Sequence, residues 1–420
     1  MKTTYLLLCL LGIGSVSGAG QTKQPQKIGD FIESTSYNEH RRNATRSLQY
    51  TPDGDDFVCI NGKNRFTRAL YGSHTAFRLE TSDRPVFAAY TKKNPKHICF
   101  KLQTSGGTVA LDSTEHCESR YTAGRRSYNL FHPSFEGGNL SIATLALPDK
   151  EGAIWQFNAR NFKGSNPILL ASISEIRNSK LNRNGDMGAD PADSFEAPLQ
   201  PQQLQSCPAQ IDGTLYILLE NQELRTLTTA EGETLFKKAE AARSETASRI
   251  RIETPDPYFN TLGGTLAMAA DGIWDGEVWL HGAIGWRMPL SGWRAAYTGD
   301  VLGWHDRART HFNAYAASQV TEVPNTLPHP AQESALHLAR SVKKWGTPQY
   351  SNGYICRNPH RNNQMHHYDM NLCYIDELLW HFKWTGDLDY ARQMWPVITR
   401  HLAWEKLNYD PDNDGLYDAY

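Results

Sequence analysis

The 420-residue sequence lacks an excess of charge of either sign: Lys and Arg number 43 against 45 Asp and Glu. Nucleic-acid binding draws its affinity from a basic surplus laid against phosphates, so this balance argues against a nucleic-acid partner. Cysteine is scarce, at seven residues. No Cys-x-x-Cys spacing occurs, which argues against zinc ribbons, zinc fingers and thioredoxin chemistry. No phosphate-cradling glycine-rich loop, no Gly-x-Ser-x-Gly elbow and no short repeat stands out. Beyond the first residues, no stretch is long and apolar enough to span a bilayer.

That first stretch reads as a secretory signal over residues 1–19. Lys2 supplies the charge, Tyr5 to Ile13 the apolar core, and Ser17-Gly-Ala19 the small-residue cleavage site. The expectation is an exported protein, periplasmic or extracellular, with no integral membrane segment after cleavage. Cleavage would remove Cys9 and leave Cys59, Cys99, Cys117, Cys207, Cys356 and Cys373. Export permits disulfides, but spacing does not give their connectivity.

The rest predicts a multidomain β + α chain. Residues 20–50 are polar and aperiodic, a flexible lead-in. Residues 51–222 carry short β-type runs bounded by turn residues: Pro85 to Tyr90, His97 to Leu102, Leu140 to Leu147, Ala153 to Phe157 and Thr214 to Leu219. Such runs without intervening helices predict a β-sandwich. Gly185 to Pro208 reads as an exposed loop before the last strand. Residues 223–254 hold a linker helix, Thr229 to Ile250, whose polarity suggests a surface position. The remainder, 255–420, is helical: His305 to Val320, Ser334 to Trp345, Asp369 to Trp384, and Asp387 to Leu407, which Pro396 must kink or restart. In the third of these, Ile375, Leu378, Leu379 and Phe382 form an apolar stripe. Asp369, Cys373, Asp376 and Trp380 form a second stripe opposite, which suits either a salt-bridged surface or the wall of an aqueous cavity.

Tryptophan is concentrated. Ten of the eleven lie between Trp274 and Trp404, and the densest run, Asp271 to Arg294, holds four indoles, two arginines, three acids, a histidine and five glycines. Trp suits a position where one face is apolar and one edge must hydrogen-bond, and sugar rings present that combination. The alternative is that these indoles pack between helices.

Against this background the chain resembles the six-hairpin glycosidase superfamily. The likeness lies in the order of a β-sandwich, a linker helix and Trp-rich helices entered through Thr254-Pro-Asp-Pro-Tyr-Phe259. It continues in Trp384-Thr-Gly-Asp-Leu-Asp389, Met394-Trp-Pro-Val-Ile398 and Asp410-Pro-Asp-Asn-Asp-Gly-Leu-Tyr417. It is clearest over residues 254–420. The resemblance implies an N-terminal β-sandwich and a C-terminal α/α toroid that cleaves an oligo- or polysaccharide. A full toroid has twelve helices, and at ~12–15 residues each the available segment supplies about five or six. The expectation is therefore a partial toroid and a fragment, whose general acid can lie in a later hairpin.

Glycoside hydrolysis needs two carboxyl groups across the scissile bond. The acids of the Trp-rich half form the pool: Asp271, Asp275, Glu277, Asp300, Asp306, Asp369, Asp376 and Glu377. Asp369, Asp376 and Asp300 are the candidate catalytic residues. The first two project alike along one helix, about 10.5 Å apart at ~1.5 Å per residue. This is near or above the ~6.5–9.5 Å of inverting pairs, so one of them suits a sugar-hydroxyl ligand better. Candidate substrate-binding residues are Trp274, Trp286, Arg287, Trp293, Arg294, Trp304, His305 and Trp380, the Trp-Arg pairs offering a platform beside a bidentate donor. The bland readings are an Arg salt bridge at a helix–loop junction, and for His305 and Asp306 a first helical turn. Adjacent His366 and His367 point apart on a helix, unlike a zinc pair. No cofactor is required. Asp410, Asp412 and Asp414 match the first half of a calcium loop or an Asp/Asn/Gly turn. The rival functions are a polysaccharide lyase recruiting Tyr354, Arg357, His360 and His366, and a non-catalytic glycan-binding protein.

Overall fold

A computed structural model describes residues 50–63, 68–72, 76–91, 95–164, 166–176, 195, 205–282, 288–292, 295–323, 351–363, 369–410 and 412–417. The expected signal sequence, the lead-in before Tyr50, and the helix expected from Ser334 to Trp345 lie outside the described residues. The described residues belong to one compact unit, Gln49–Tyr420.

The first half is two antiparallel sheets. One runs β1 (Thr51–Asp53), β2 (Asp56–Ile60), β8 (His116–Thr122), β9 (Arg125–Phe131), β10 (Asn139–Ala146), β11 (Gly152–Arg160), β14 (Thr214–Glu220), β15 (Glu223–Leu227). The other runs β13 (Gln205–Gln210), β12 (Ile168–Glu175), β6 (Lys96–Thr104), β5 (Val86–Tyr90), β4 (Arg78–Thr81), β3 (Arg68–Tyr71), with β7 (Gly107–Ala110) also on β6. Alternation along β8, β9, β10 and β12 sends every second side chain inward. The two inner faces share one core, which includes Phe87, Phe100, Trp155, Phe157 and Leu169. Trp155 meets Phe87 and Phe100 edge-on, with centroids 5.4 and 5.7 Å away.

Two expectations at this end of the chain change. Gln205 to Pro208 is not loop but the start of β13, and Pro208 is tolerated because β13 is an edge strand. The sandwich also runs on past residue 222, because Glu223–Leu227 folds back on β14 as the true last strand.

α1 (Thr229–Ala247) starts at a capping box in which Thr228 Oγ1 accepts from Glu231 N and Glu231 reaches back to Thr228 N. It is more than a linker. Leu235, Phe236 and Ala239 pack on Leu145, Ile154, Tyr216 and Leu218, covering the outer face of the larger sheet. That is why β11 and β14 are buried on both faces.

The helical half follows: α2 (Pro257–Asn260), α3 (Leu262–Gly272), α4 (Ala295–Val301), α5 (His305–Ala316), α6 (Asp369–Thr385) and α7 (Leu388–Tyr409). α5 runs antiparallel to both its neighbours in the core. Its N-terminal end meets Asp300 of α4 and its middle meets His381 of α6, while its C-terminal Tyr315 meets Tyr374. α7 is continuous through Pro396, where a kink or a restart is expected, so the helix does not restart there. The carbonyl that Pro396 leaves without a helical donor is that of Arg392, on an exposed face where water can serve it.

The buried face of α6 carries Asn371, Tyr374, Ile375, Glu377, Leu378 and His381. Leu379, expected in the apolar stripe, is 40% exposed instead. Polar residues have replaced it inside, which no hydrophobicity count detects. Among the described residues no helix is long and apolar enough to cross a membrane, and no disulfide joins the six cysteines described.

Candidate functional site

The two ends of the helical layer differ. At one end the connections are short, residues 302–304 between α4 and α5 and residues 386–387 between α6 and α7. Gly303 (φ +73°) and Gly386 (φ +65°) supply the left-handed backbone these turns require. At the other end, the described stretches 273–282, 288–292, 317–323 and 351–363 stand between the helices. Connecting segments on a rigid scaffold are where binding groups collect.

The first of these segments opens with a tight hairpin. Asp275 Oδ1 accepts from the backbone N of Glu277 (3.0 Å) and Val278 (2.8 Å), and Gly276 takes φ +102°. The turn pairs Trp274 with Trp279, ring centroids 4.7 Å apart, and lifts Glu277 towards solvent. There Glu277 Oε1 lies 2.6 Å from His360 Nε2, and both side chains are about half exposed. His360 is itself held in a left-handed conformation (φ 59°), its N–H donating to Ala314 O at the end of α5.

Around this pair the charges converge. Tyr315 is buried in α5, and its hydroxyl is pushed well up by burial and then by the carboxylates of Asp275, Glu377 and Glu277, with Arg357 opposing. Arg357 Nη2 donates to Met288 Sδ at 2.9 Å. His281 is pulled down by burial and by the Arg357 charge. Glu377 on α6 is buried, whereas the adjacent Asp376 is exposed and takes a hydrogen bond from Tyr297 of α4. Burial, then that bond, raises the Tyr297 hydroxyl. Three carboxylates around one phenol, with an arginine and two imidazoles alongside, can exchange protons with a bound polar substrate and hold its hydroxyls.

The structure separates the residues singled out from sequence. Asp376 meets Tyr297 of α4, and Asp300 stands one turn further along that helix. His305 starts α5, about 15 Å along the helix from Tyr315 at ~1.5 Å per residue. There the Asp300 carboxylate pairs with His305 Nδ1 (2.7 Å) and His381 Nδ1 (2.8 Å). Trp274 and Trp304 are core residues, 3% and 7% exposed, a correction to their reading as sugar platforms. The guanidinium of Arg307 lies 4.3 Å from the Trp304 ring and 5.6 Å from that of Trp274, and pairs with buried Asp271 at 2.7 Å. Arg249 also lies over Trp304, at 5.1 Å. Trp380 keeps an exposed indole, with Lys383 Nζ 4.2 Å from its centroid. Trp286, Arg287, Trp293, Arg294 and His366 lie outside the described residues, as does the side chain of Asp369. Tyr354 is buried against Trp404, centroids 5.1 Å apart, and is not available to a substrate.

Asp410, Asp412 and Asp414 do converge, each with a ligand atom within 4.8 Å of the others. The same loop is also a hydrogen-bonded turn: Leu416 N donates to Asp414 Oδ1 (2.8 Å) and Asn413 takes φ 61°.

Tyr297, Tyr315, His281, Met288 and His381 were not singled out from sequence. For His381 a signal existed: it follows Leu378 by three residues on the buried side of α6. The others depend on loop paths that sequence does not give. A family model described as "Domain of unknown function (DUF4450)" matches residues 95–249, from the edge of β6 through α1 and short of the helical cluster. No curated protein matches the chain.

Proposed function

We propose that the chain is an exported glycoside hydrolase, or part of one, whose helical half belongs to an α/α toroid and whose loop end holds an oligo- or polysaccharide. The observation that carries this reading is the convergence of Glu277 and Glu377 on Tyr315 with Arg357, His360 lying against Glu277 and Asp376 standing next to Glu377 on α6. Glu277 is the accessible carboxyl beside a proton-exchanging imidazole, the position of a group that protonates a leaving glycosidic oxygen. Asp376 or Glu377 then serves as the second carboxylate, activating water or attacking the anomeric carbon. Arg357 and His281 supply donors for hydroxyls or an acidic substituent. Export rests on Lys2, Tyr5 to Ile13 and Ser17-Gly-Ala19.

The neighbouring Arg357, His360 and Tyr315 give a lyase reading its own support, since a uronate needs charge neutralisation beside a base. The upward shift of Tyr315 works against it, because a phenol that resists ionisation is a poor base. Incubation of the purified chain with a panel of neutral and uronate glycans decides. New reducing ends without the ultraviolet absorbance of an unsaturated uronate support hydrolysis. That absorbance overturns it in favour of a lyase, and binding with neither leaves a glycan-binding protein.

A further inference from the structure

We propose that Asp300, His305 and His381 form a site for a divalent transition-metal ion of the zinc class, at the short-turn end of the helical layer and away from the loop-end cluster. Three helices build it. Asp300 lies in the last turn of α4, Gly303 turns the chain with φ +73°, and His305 returns as the first residue of α5, its Nδ1 2.7 Å from Asp300 Oδ1. His381 comes from α6, 81 residues from Asp300, and sets its own Nδ1 2.8 Å from the same oxygen and 3.0 Å from Oδ2. The imidazole of His381 is fixed by Phe312 and Tyr390, centroids 5.4 and 5.6 Å away.

Charge is the first argument. The Asp300 side chain is 2% exposed, and its described partners are these two imidazoles, neither of them a permanent cation. A buried carboxylate needs compensating charge. The second argument is donor type and spacing. Two imidazole nitrogens and a carboxylate oxygen are zinc-class ligands, and the three groups lie within 4.8 Å of one another. Metal–ligand bonds of about 2.0–2.2 Å set ligand separations near 3–3.5 Å, so widening the present contacts by a few tenths of an ångström admits the ion. On binding, each imidazole presents its Nδ1 lone pair and carries its proton on Nε2, and the carboxylate stays ionised. His305 is 43% exposed, which leaves a path for the ion and room for water to complete its shell. The bound ion would pin the α4–α5 turn to α6.

The test uses the full chain, stripped with EDTA and titrated with Zn²⁺ and Co²⁺. One equivalent of Zn²⁺ is expected, with visible Co²⁺ bands of a nitrogen–oxygen site and a rise in unfolding temperature on Zn²⁺ addition. His305→Gln, on a half-exposed position, should fold as the parent by circular dichroism and lose about tenfold or more in Zn²⁺ affinity. Asp300→Asn should lose it as well. Asp412→Asn with Asp414→Asn, two exposed positions in the other acidic cluster, should keep the single equivalent. The proposal is overturned if the parent binds no Zn²⁺, if His305→Gln binds it equally well, or if the Asp412/Asp414 variant loses it.

Discussion

Glu277 Oε1 lies 2.6 Å from His360 Nε2 across 83 residues of sequence. Neither group is buried, so the contact is not a packing requirement. It exists because the Asp275 turn and the left-handed backbone at His360 each deliver a side chain to the same place at the end of α5. If the loop end is catalytic, Glu277→Gln should reduce glycan cleavage by about 10²- to 10⁴-fold, the usual contribution of a proton-transferring group. An unchanged unfolding temperature would show that the loss is chemical. Unchanged turnover would remove Glu277 from the mechanism.

His311 gives a pH prediction. It is fully buried in α5, its Nδ1 accepts from Trp279 N (3.2 Å), and burial pushes it down to about 3, with the Ser291 backbone opposing. In the unfolded chain it titrates near its ordinary ~6.5. The folded state binds this proton less readily, so stability is full above the unfolded value and is lost as pH falls below about 6.5. Between pH 7.5 and 5 the loss should approach about 2 kcal/mol from this residue alone. Denaturant titrations at the two pH values measure it. A His311→Asn variant, destabilised at neutral pH, should show a shallower pH dependence, and an equal slope would refute the assignment.

The tryptophans should divide by burial. Trp274→Ala removes a core indole and should cost about 3–5 kcal/mol. Trp380→Ala, on the exposed face of α6, should change stability by no more than ~0.5 kcal/mol. If that face contacts glycan, Trp380→Ala should weaken binding at unchanged stability. Calorimetric binding and thermal unfolding on the same samples separate the two effects.

The Arg307–Asp271 pair offers a test of the helical core. Asp271 is buried, and Arg307, which lies against Trp274 and Trp304, reaches it at 2.7 Å. Arg307→Met leaves the carboxylate without its guanidinium and should destabilise by about 3–5 kcal/mol. Adding Asp271→Asn should recover part of that loss. No recovery in the double variant would show that the arginine acts through stacking on the indoles instead.

The local part of this fold was legible in sequence because it is periodic. Short β-type runs bounded by turn residues mark Leu140 to Leu147 and Thr214 to Leu219 as strands, and the helical pattern from Asp369 finds α6 to within a residue at its end. Gln205 to Pro208 ends a stretch whose Asp, Pro, Gln and Ala content suggests loop, and only the edge position of β13 lets Pro208 stand in a strand. Leu379 was misread because hydrophobicity does not distinguish the inward side from one that is merely apolar.

The candidate site was legible as a pool of acids and as a run of indoles, and no further. Residue type alone set that pool, the balance of charge and the Trp content, since these need no partner. Which acid meets which base was decided by tertiary structure. Asp300 and Asp376 belong to the same pool, yet Asp300 meets two histidines while Asp376 meets Tyr297, one turn earlier on α4. Trp274 and Trp380 share a chemistry, yet one is enclosed under Arg307 and the other open to solvent. The physical reason is that burial and charge pairing depend on long-range approach, through turns such as Asp275 and Gly303, which short-range sequence pattern does not encode.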